Sequence, residues 1–441
     1  MKSKMTLILV LLCIILLIIM VSVLRINAFL AFLAVSILAG IVLGIPLTKI
    51  AGSVEKGIGD VLGSLAIIIT IGAMLGKLVA ESGAAQKIAA VIMNICGEKY
   101  IQWGVVATGF LIGIPLFYGI GFVLMIPLIF SVVYKYKLPP LYIGLPMLAA
   151  LSVTHGFLPP HPSPSALVIQ FNANMGLTLM YGLLIAIPAI VIGGPLFSRT
   201  LKNIQSTPLQ SFVPVEMPED QLPGAFNSFF TALLPVLLLI LATVFSFYAA
   251  DYPQMKDVIS LTGHADVVMI ISLFTATLTL GIFQGRKISR IMNIYAESIK
   301  DVALILLIIG GSGALKQVLV DSGVSGQIAG LLKDLHMQPL FLGWLITAVI
   351  RFAVGSATVA GLTTAGIILP LMIATHTNPN LMVLAVGAGS LMFSHVNDAG
   401  FWMFKEYFTL TLKDTFKSWA LMESIVGIIG LIGVLLLNQI I

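Results

Sequence analysis

Apolar stretches long enough to cross a lipid bilayer recur from one end of this chain to the other. A membrane-spanning helix needs about 20 consecutive apolar residues. Only 9% of the 441 residues are charged, whereas soluble domains carry roughly 25%. The pattern predicts an all-α polytopic membrane protein and excludes a soluble enzyme, a nucleic-acid-binding protein and a secreted disulfide scaffold. The most continuous stretches are 6–24, 28–47, 61–80, 176–197, 228–249, 265–283, 301–320 and 420–438.

Less regular apolar stretches, interrupted by glycine and proline, add further candidate spans and bring the predicted total to roughly 10–14 membrane segments. Basic residues flank the first apolar stretch, at Lys2 and Lys4, and no small-residue cleavage site follows it before Arg25. It is therefore interpreted as a first membrane span rather than a cleaved signal peptide. Flanking basic residues are typical of a multi-pass protein of the cell inner (plasma) membrane. The interrupted stretches are 103–134, 141–158, 340–374 and 381–404.

The two halves of the chain resemble each other at a constant offset. Identical residues recur 240 positions apart, including Ser-Gly, proline and histidine pairs such as His155 and His395. Internal repeats of this kind are typical of secondary transporters, whose binding sites lie where the repeats meet. The predicted division is 1–47 as N-terminal spans, 48–198 as repeat 1, 199–227 as a polar connecting loop, 228–284 as linking spans and 285–441 as repeat 2.

Arg351 is the only lysine or arginine between Lys333 and Lys405. A guanidinium at membrane depth costs at least ~2.5 kcal/mol unless it is compensated, and its planar fork suits a carboxylate. Gly355, Ser356 and Thr358 follow within a run of small residues that can break a helix and offer amides and hydroxyls to a ligand. The alternatives are an internal ion pair or snorkelling for Arg351, and close helix packing for the small residues.

Two polar segments lie at corresponding places in the two halves. The first, around 154–162, carries His155 and His161 among prolines that cannot continue a helix. The second, 394–398, carries His395, Asn397 and Asp398 within an apolar stretch. Histidine and a buried carboxyl can both carry a proton. The alternatives are a surface loop with structural histidines for the first segment and a helix N-cap at Asp398 for the second.

These polar strings resemble the gluconate permease family, the gluconate:proton symporters, from about Gly59 to Leu437. The family belongs to a wider group of ion-coupled carboxylate transporters. Resemblance to that group implies inverted repeats, each with a re-entrant hairpin (near 113–119 and 355–358) and a broken helix (near 154–162 and 394–398), and commonly a homodimer. The matching strings are IGAMLGKLVAESGAAQKIA (71–89), IGIPLF (112–117), GFVLMIPLIF (121–130), GLPMLAALSVTHGFLPPHP (144–162), IRFAVGSATVAGLTTAGIILP (350–370) and SHVNDAGFWMFKEYF (394–408).

The sequence departs from that family at one position of interest. The family typically carries an acidic residue after the I-P-x-F string, whereas this chain has Tyr118 and Gly119 there. If that acid helps to move the proton, coupling in this chain rests elsewhere. The departure also weakens the identification of gluconate as the substrate.

The resulting hypothesis is an importer of a small hydroxylated monocarboxylate, with gluconate as first candidate, driven by proton symport. Alternatives are D-serine or another sugar or hydroxy acid, sodium coupling, and, from other classes, a channel or an intramembrane enzyme. No Walker loop, HExxH or zinc spacing occurs, so no cofactor or metal is expected. The expected substrate-binding residues are Arg351, Ser356, Thr358, Asn397, His155 and Gly355, and the expected proton-coupling residues are Asp398, His395 and His161.

Overall fold

The structure is a computed structural model that describes residues 2–116, 118–206, 217–248, 257–258, 261–324, 337–396 and 398–441. Within those ranges the regular elements are all helices, and none is a strand. The first half contains α1 (Lys2–Ile18), α2 (Ala28–Val42), α3 (Leu47–Glu81), α4 (Ala84–Cys96), α5 (Ile101–Gly113), α6 (Tyr118–Tyr136), α7 (Pro140–Phe157), α8 (Pro162–Gln170) and α9 (Met175–Val191).

In the described part of the second half, too, every regular element is a helix. Short π-helical or 3-10 turns extend several of its helices. The helices are α10 (Ala225–Tyr248), α11 (Ala265–Ala276), α12 (Ile288–Asp321), α13 (Pro339–Val354), α14 (Ala357–Ala374), α15 (Pro379–Ser390), α16 (Ala399–Tyr407), α17 (Leu412–Thr415) and α18 (Leu421–Leu437).

Eight helical segments of the described chain are long and apolar enough to cross a membrane. Six shorter apolar helices of 10–17 residues accompany them. The predicted class, an all-α multi-pass membrane protein, is confirmed, while the total of 10–14 segments stays a prediction. The eight are Leu47–Glu81, Pro140–Gln170, Met175–Leu201, Ala225–Phe245, Ala265–Gln284, Ile288–Asp321, Ala357–Ala374 and Leu412–Leu437.

Helices are interrupted at each of the four places that the sequence marks. The α5–α6 interruption includes 114–116, and α13 and α14 are separated by 355–356. Residues 158–161 separate α7 from α8, and the interruption between α15 and α16 includes 391–396 and 398. The division into repeats and the re-entrant form of the hairpins stay predictions.

Local chemistry explains these interruptions. Pro159 and Pro160 lack the backbone N–H that a helix interior needs, and Pro162 occupies the first turn of α8, where that N–H is dispensable. Gly355 ends α13 with φ at +77°, a left-handed conformation that glycine adopts without steric cost. Ser356 and Asp398 then cap the N-termini of α14 and α16 with their side-chain oxygens.

Close helix packing places the α7–α8 segment at the centre of the molecule. Of its most apolar window, 89% is buried inside the protein, against 33–56% for the other seven segments. The two longest helices, α3 and α12, pack through Gly57 and Gly313, where a Cβ on either residue would collide with the carbonyl oxygen of the other. Small residues allow this close approach between membrane helices, which lack a hydrophobic driving force in lipid.

Candidate functional site

A cavity of about 340 Å³ lies where the interrupted helices of the two halves meet. Its volume is at the lower end of the roughly 300–1,000 Å³ typical of small-molecule sites. Side chains from α6, α7, α13, α14 and α18, together with the segment that precedes α16, line it. The ionisable and hydroxyl side chains on its wall are Tyr118, Ser152, His155, Arg351, Ser356, Thr358, Asp398 and Glu423.

Arg351 is the one cation on this wall, and its side chain is only 4% exposed. One terminal nitrogen donates to the carbonyl oxygen of Gly355, and the other donates to Oδ2 of Asp398 at 2.5 Å. Its Nε is buried, and no acceptor within the described residues reaches it. The guanidinium is therefore held in place by the protein while one of its donors stays unused.

Asp398 is both the partner of Arg351 and the N-cap of α16. The internal ion pair considered for Arg351 and the helix N-cap considered for Asp398 are therefore both present. Its Oδ1 accepts from the backbone N–H of Gly400 at 2.9 Å. Its Oδ2 accepts from Arg351 and also from the Ser394 hydroxyl. The Ser394 oxygen in turn accepts from Nε1 of Trp419 at 2.8 Å, which fixes the orientation of the Ser394 side chain.

The start of α14 adds a second favourable feature for an anion. Gly355, Ser356, Ala357 and Thr358 all line the cavity, so the first turn of this helix faces it. The N-terminus of a helix carries partial positive charge and backbone N–H groups without intrahelical partners. Together with Arg351, this end of the cavity suits a carboxylate.

His155 and His161 form a hydrogen-bonded pair whose proton positions follow from a third group. Nε2 of His161 lies 3.0 Å from the Leu116 carbonyl oxygen, which can only accept, so that nitrogen carries a hydrogen. The two Nδ1 atoms are 3.2 Å apart. With His161 neutral, its Nδ1 must accept, and His155 donates from Nδ1. This leaves Nε2 of the cavity-lining His155 as an acceptor.

Glu423 was not singled out by the sequence analysis. Only 3% of its surface is exposed, and its Oε1 accepts from the Ser152 hydroxyl at 2.6 Å. Its Oε2 is buried without a hydrogen-bond partner among the described residues. The signal that could have revealed it is the one applied to Asp398, because Glu423 is the only charged residue after Lys417, within an apolar span.

Tyr118 and Ser152 are also on the wall without having been predicted there. The Tyr118 hydroxyl is buried without a partner among the described residues, and its ring lies 5.2 Å from that of His155. The IPLF string at 114–117 is followed by Tyr118 and Gly119, without a carboxylate. The carboxyl that this chain presents to the cavity in addition to Asp398 instead comes from α18.

Most of the predicted site residues are brought together. His161 contacts His155 but does not itself line the cavity. Asn397 lies outside the described residues. His395 is not among the residues that line the cavity; its Nε2 is 2.8 Å from the Phe352 carbonyl oxygen, after a turn in which Phe393 has φ of +53°. Those on the wall are Arg351, Gly355, Ser356, Thr358, His155 and Asp398.

The described residues contain no group of three or more histidine, cysteine, aspartate or glutamate side chains that could hold a metal ion. The residues that line the cavity offer one guanidinium, two carboxyls, hydroxyls and an imidazole acceptor. Such a set can bind a small polar anion through its carboxylate and its hydroxyl groups.

Comparison with known proteins shows similarity over nearly the whole chain. Residues 5–440 match the family described as GntP family permease. The chain is 45% identical over 418 residues to the high-affinity gluconate transporter of Escherichia coli, covering 95% of each protein. It is 44% identical to the Gnt-II system L-idonate transporter of Escherichia coli, covering 94% of this chain and 95% of that protein. Identity to the gluconate permease of Bacillus subtilis is also 44%, over 99% and 100% of the two chains.

Two solved structures share the fold at low sequence identity. The YdaH transporter of Alcanivorax borkumensis superposes with a TM-score of 0.67 at 16% identity, over 93% of this chain and 97% of that one. MtrF of Neisseria gonorrhoeae gives a TM-score of 0.61 at 16% identity, over 89% and 84%. At such identity the likeness supports the fold alone.

Proposed function

Because the chain belongs to the GntP family of permeases, we propose that it is a secondary active transporter that imports gluconate together with a proton. Membership makes it a membrane permease for a small molecule. The proposal further states that gluconate is the substrate and that a proton is the coupling ion. It also states that the protein is a homodimer without enzymatic activity. Two relatives with names that specify gluconate, at 44–45% identity over nearly the whole chain, support the choice of substrate.

The observation that carries the proposal is the buried Arg351 on a polar cavity between interrupted helices. The substrate carboxylate binds to the guanidinium and to the first turn of α14. Ser356, Thr358 and Nε2 of His155 are available to the hydroxyl groups of a sugar acid. Asn397 is assigned to the same task on its sequence position alone. A polyhydroxylated monocarboxylate fits this cavity, because its carboxylate can bind to Arg351 and its hydroxyl groups can bind to the hydrogen-bonding side chains.

The charges on the cavity wall favour symport with a proton. Arg351 is already paired with Asp398, and Glu423 adds a second carboxyl. A bound substrate carboxylate would bring a further negative charge into surroundings where charges are poorly screened. Uptake of one proton with each anion offsets that charge, so entry of the two is energetically linked.

L-Idonate is a second candidate substrate of the same class. The relative that is named for L-idonate transport is 44% identical to this chain, the same identity as the gluconate permease of Bacillus subtilis. The two acids are stereoisomers with the same carboxylate and the same number of hydroxyl groups. Arg351 and α14 would serve both, and discrimination would depend on the hydroxyl-binding wall.

Uptake into proteoliposomes tests the proposal. Labelled gluconate should accumulate under an inward proton gradient without sodium, and a protonophore should abolish accumulation. Unlabelled gluconate should compete best in a panel with L-idonate, glycerate and D-serine. Arg351→Gln protein with the same size-exclusion profile should show no uptake. Sodium-dependent accumulation would refute proton coupling, and best competition by another acid would refute gluconate as the substrate.

A further inference from the structure

The two carboxyl groups on the cavity wall differ in how well the protein stabilises their ionised forms. Asp398 accepts from a guanidinium, a hydroxyl and a backbone N–H. Glu423 accepts only the Ser152 hydroxyl on Oε1, and its buried Oε2 has no donor among the described residues. An ionised carboxylate that leaves water without compensating donors is much more costly than the neutral acid. A proton that enters the cavity is therefore better accommodated on Glu423.

We propose that Glu423 binds the coupling proton on Oε2, while Ser152 holds Oε1 and keeps the carboxyl on the cavity wall. This inference rests on the proposed function as a proton-coupled permease. The proton comes from water on the outer side and leaves to water on the inner side, and no other bond is made or broken.

The titratable and charged groups that face Glu423 come from several elements. They are Tyr118 on α6, His155 on α7, Arg351 on α13 and Asp398 before α16. The buried part of α15 that packs on α18 contributes no titratable side chain. Arg351 is the one cation of this set, and Asp398 already neutralises it.

This arrangement couples the proton to the substrate. When Glu423 is neutral, a substrate carboxylate meets a wall whose charges balance. When Glu423 is ionised, the same carboxylate meets an uncompensated negative charge within one small cavity, where repulsion is much stronger than in water. Substrate binding and protonation of Glu423 thus favour each other, as symport requires.

Proton uptake on binding is the direct test. Gluconate is added to purified, weakly buffered protein that contains a pH-sensitive dye, and affinity is measured in parallel by calorimetry across a pH series. Wild type should take up a proton with each gluconate bound, and its affinity should fall about tenfold per pH unit in the alkaline range. Glu423→Gln, which keeps an acceptor for Ser152, should bind gluconate without proton uptake and with an affinity independent of pH.

The exposed Glu98 supplies the matched control, since Glu98→Gln makes the same chemical change away from the cavity and should behave as wild type. Wild-type proton uptake by Glu423→Gln would overturn the inference. Wild-type binding of gluconate without proton uptake would instead refute proton coupling, and no gluconate binding by wild type would refute the proposed substrate.

A second measurement needs no variant and so does not depend on how well Glu423→Gln folds. Dicyclohexylcarbodiimide reacts with protonated carboxyl groups in apolar surroundings. After treatment of wild-type protein, mass spectrometry should find the adduct on Glu423 and not on Asp398. An adduct on Asp398, or none on Glu423, would contradict the assignment.

Discussion

Gly387 on α15 packs directly against Gly156 on α7, so closely that a Cβ on Gly387 would collide with the carbonyl oxygen of Gly156. This contact joins the two interrupted helices one residue beyond His155. It fixes the distance between the half of the chain that carries His155 and Ser152 and the half that carries Asp398. The geometry of the cavity therefore depends on the absence of a side chain at this crossing.

Gly387→Ala should force α7 and α15 apart. Overpacking of a close-packed contact costs roughly 1–3 kcal/mol, so both the thermal midpoint in detergent and gluconate uptake should fall. Gly59→Ala is the matched control, because Gly59 is an exposed helical glycine and its Cβ would meet nothing within 4 Å. Equal thermal midpoints for the two variants would show that the crossing tolerates a methyl group.

Arg351→Lys should retain the positive charge but lose the planar fork that holds Asp398 and the Gly355 carbonyl oxygen together. Lysine and arginine are not interchangeable at such a site. We expect gluconate affinity to fall by roughly tenfold or more, measured by calorimetry on protein with a wild-type size-exclusion profile. Unchanged affinity would mean that only the charge of Arg351 contributes.

Asp398→Asn should separate the two roles of this residue. Asparagine caps helices as well as aspartate does, so the start of α16 should persist. Loss of one partner of a largely buried ion pair costs roughly 3–5 kcal/mol, and the protein without substrate should be less stable. Because Arg351 then lacks an internal counterion, gluconate should raise the thermal midpoint more than in wild type. A smaller rise of the thermal midpoint than in wild type would show that Asp398 and the substrate carboxylate do not compete for Arg351.

Gly355→Ala places a Cβ at a residue with φ of +77°. A left-handed conformation costs an L-residue roughly 1–2 kcal/mol, and relief of that strain would move the carbonyl oxygen that Arg351 contacts. Gluconate affinity should therefore fall along with stability. Gly355→Asn should be milder, since asparagine tolerates this region better. Thermal unfolding and gluconate binding are measured for both variants. Larger losses in Gly355→Asn than in Gly355→Ala would exclude backbone strain as the cause of the losses.

The histidine pair makes a spectroscopic prediction. His161 should be the Nε2–H tautomer and His155 the Nδ1–H tautomer, because the Leu116 carbonyl oxygen can only accept. The ¹⁵N chemical shifts of selectively labelled histidine distinguish the tautomers, and the chain has six histidines. His161→Gln and His155→Gln assign the two signals. An Nδ1–H form of neutral His161 would refute the hydrogen-bond direction.

Much of the architecture could be predicted from the sequence alone. Apolar stretches of about 20 residues predicted the helical membrane class, because a single segment of that length can satisfy its own backbone hydrogen bonds in lipid only as a helix. Gly355 and the prolines at 159, 160 and 162 indicated where helices stop, because their effects on the backbone are local. Arg351 and Asp398 were conspicuous because charges inside apolar stretches are costly.

The sequence did not predict which distant residues contact one another in the fold. Ser152 and Glu423 are 271 positions apart, and nothing in the periodicity of either segment predicts that they meet. His155 and His395 hold matching places in the two halves, yet His155 lines the cavity and His395 contacts the Phe352 carbonyl oxygen. Such differences depend on the rotation and crossing of whole helices.

The sequence by itself determined the membrane class, the sites where helices are interrupted and the charged residues that need compensation. Each of these follows from the free energy of one segment in lipid or from the conformational limits of one residue. Only the tertiary structure decided that one guanidinium, two carboxyls and the imidazole of His155 line one cavity. That outcome rests on packing between distant helices, such as the Gly156–Gly387 crossing, which is a property of surfaces in contact and not of any single segment.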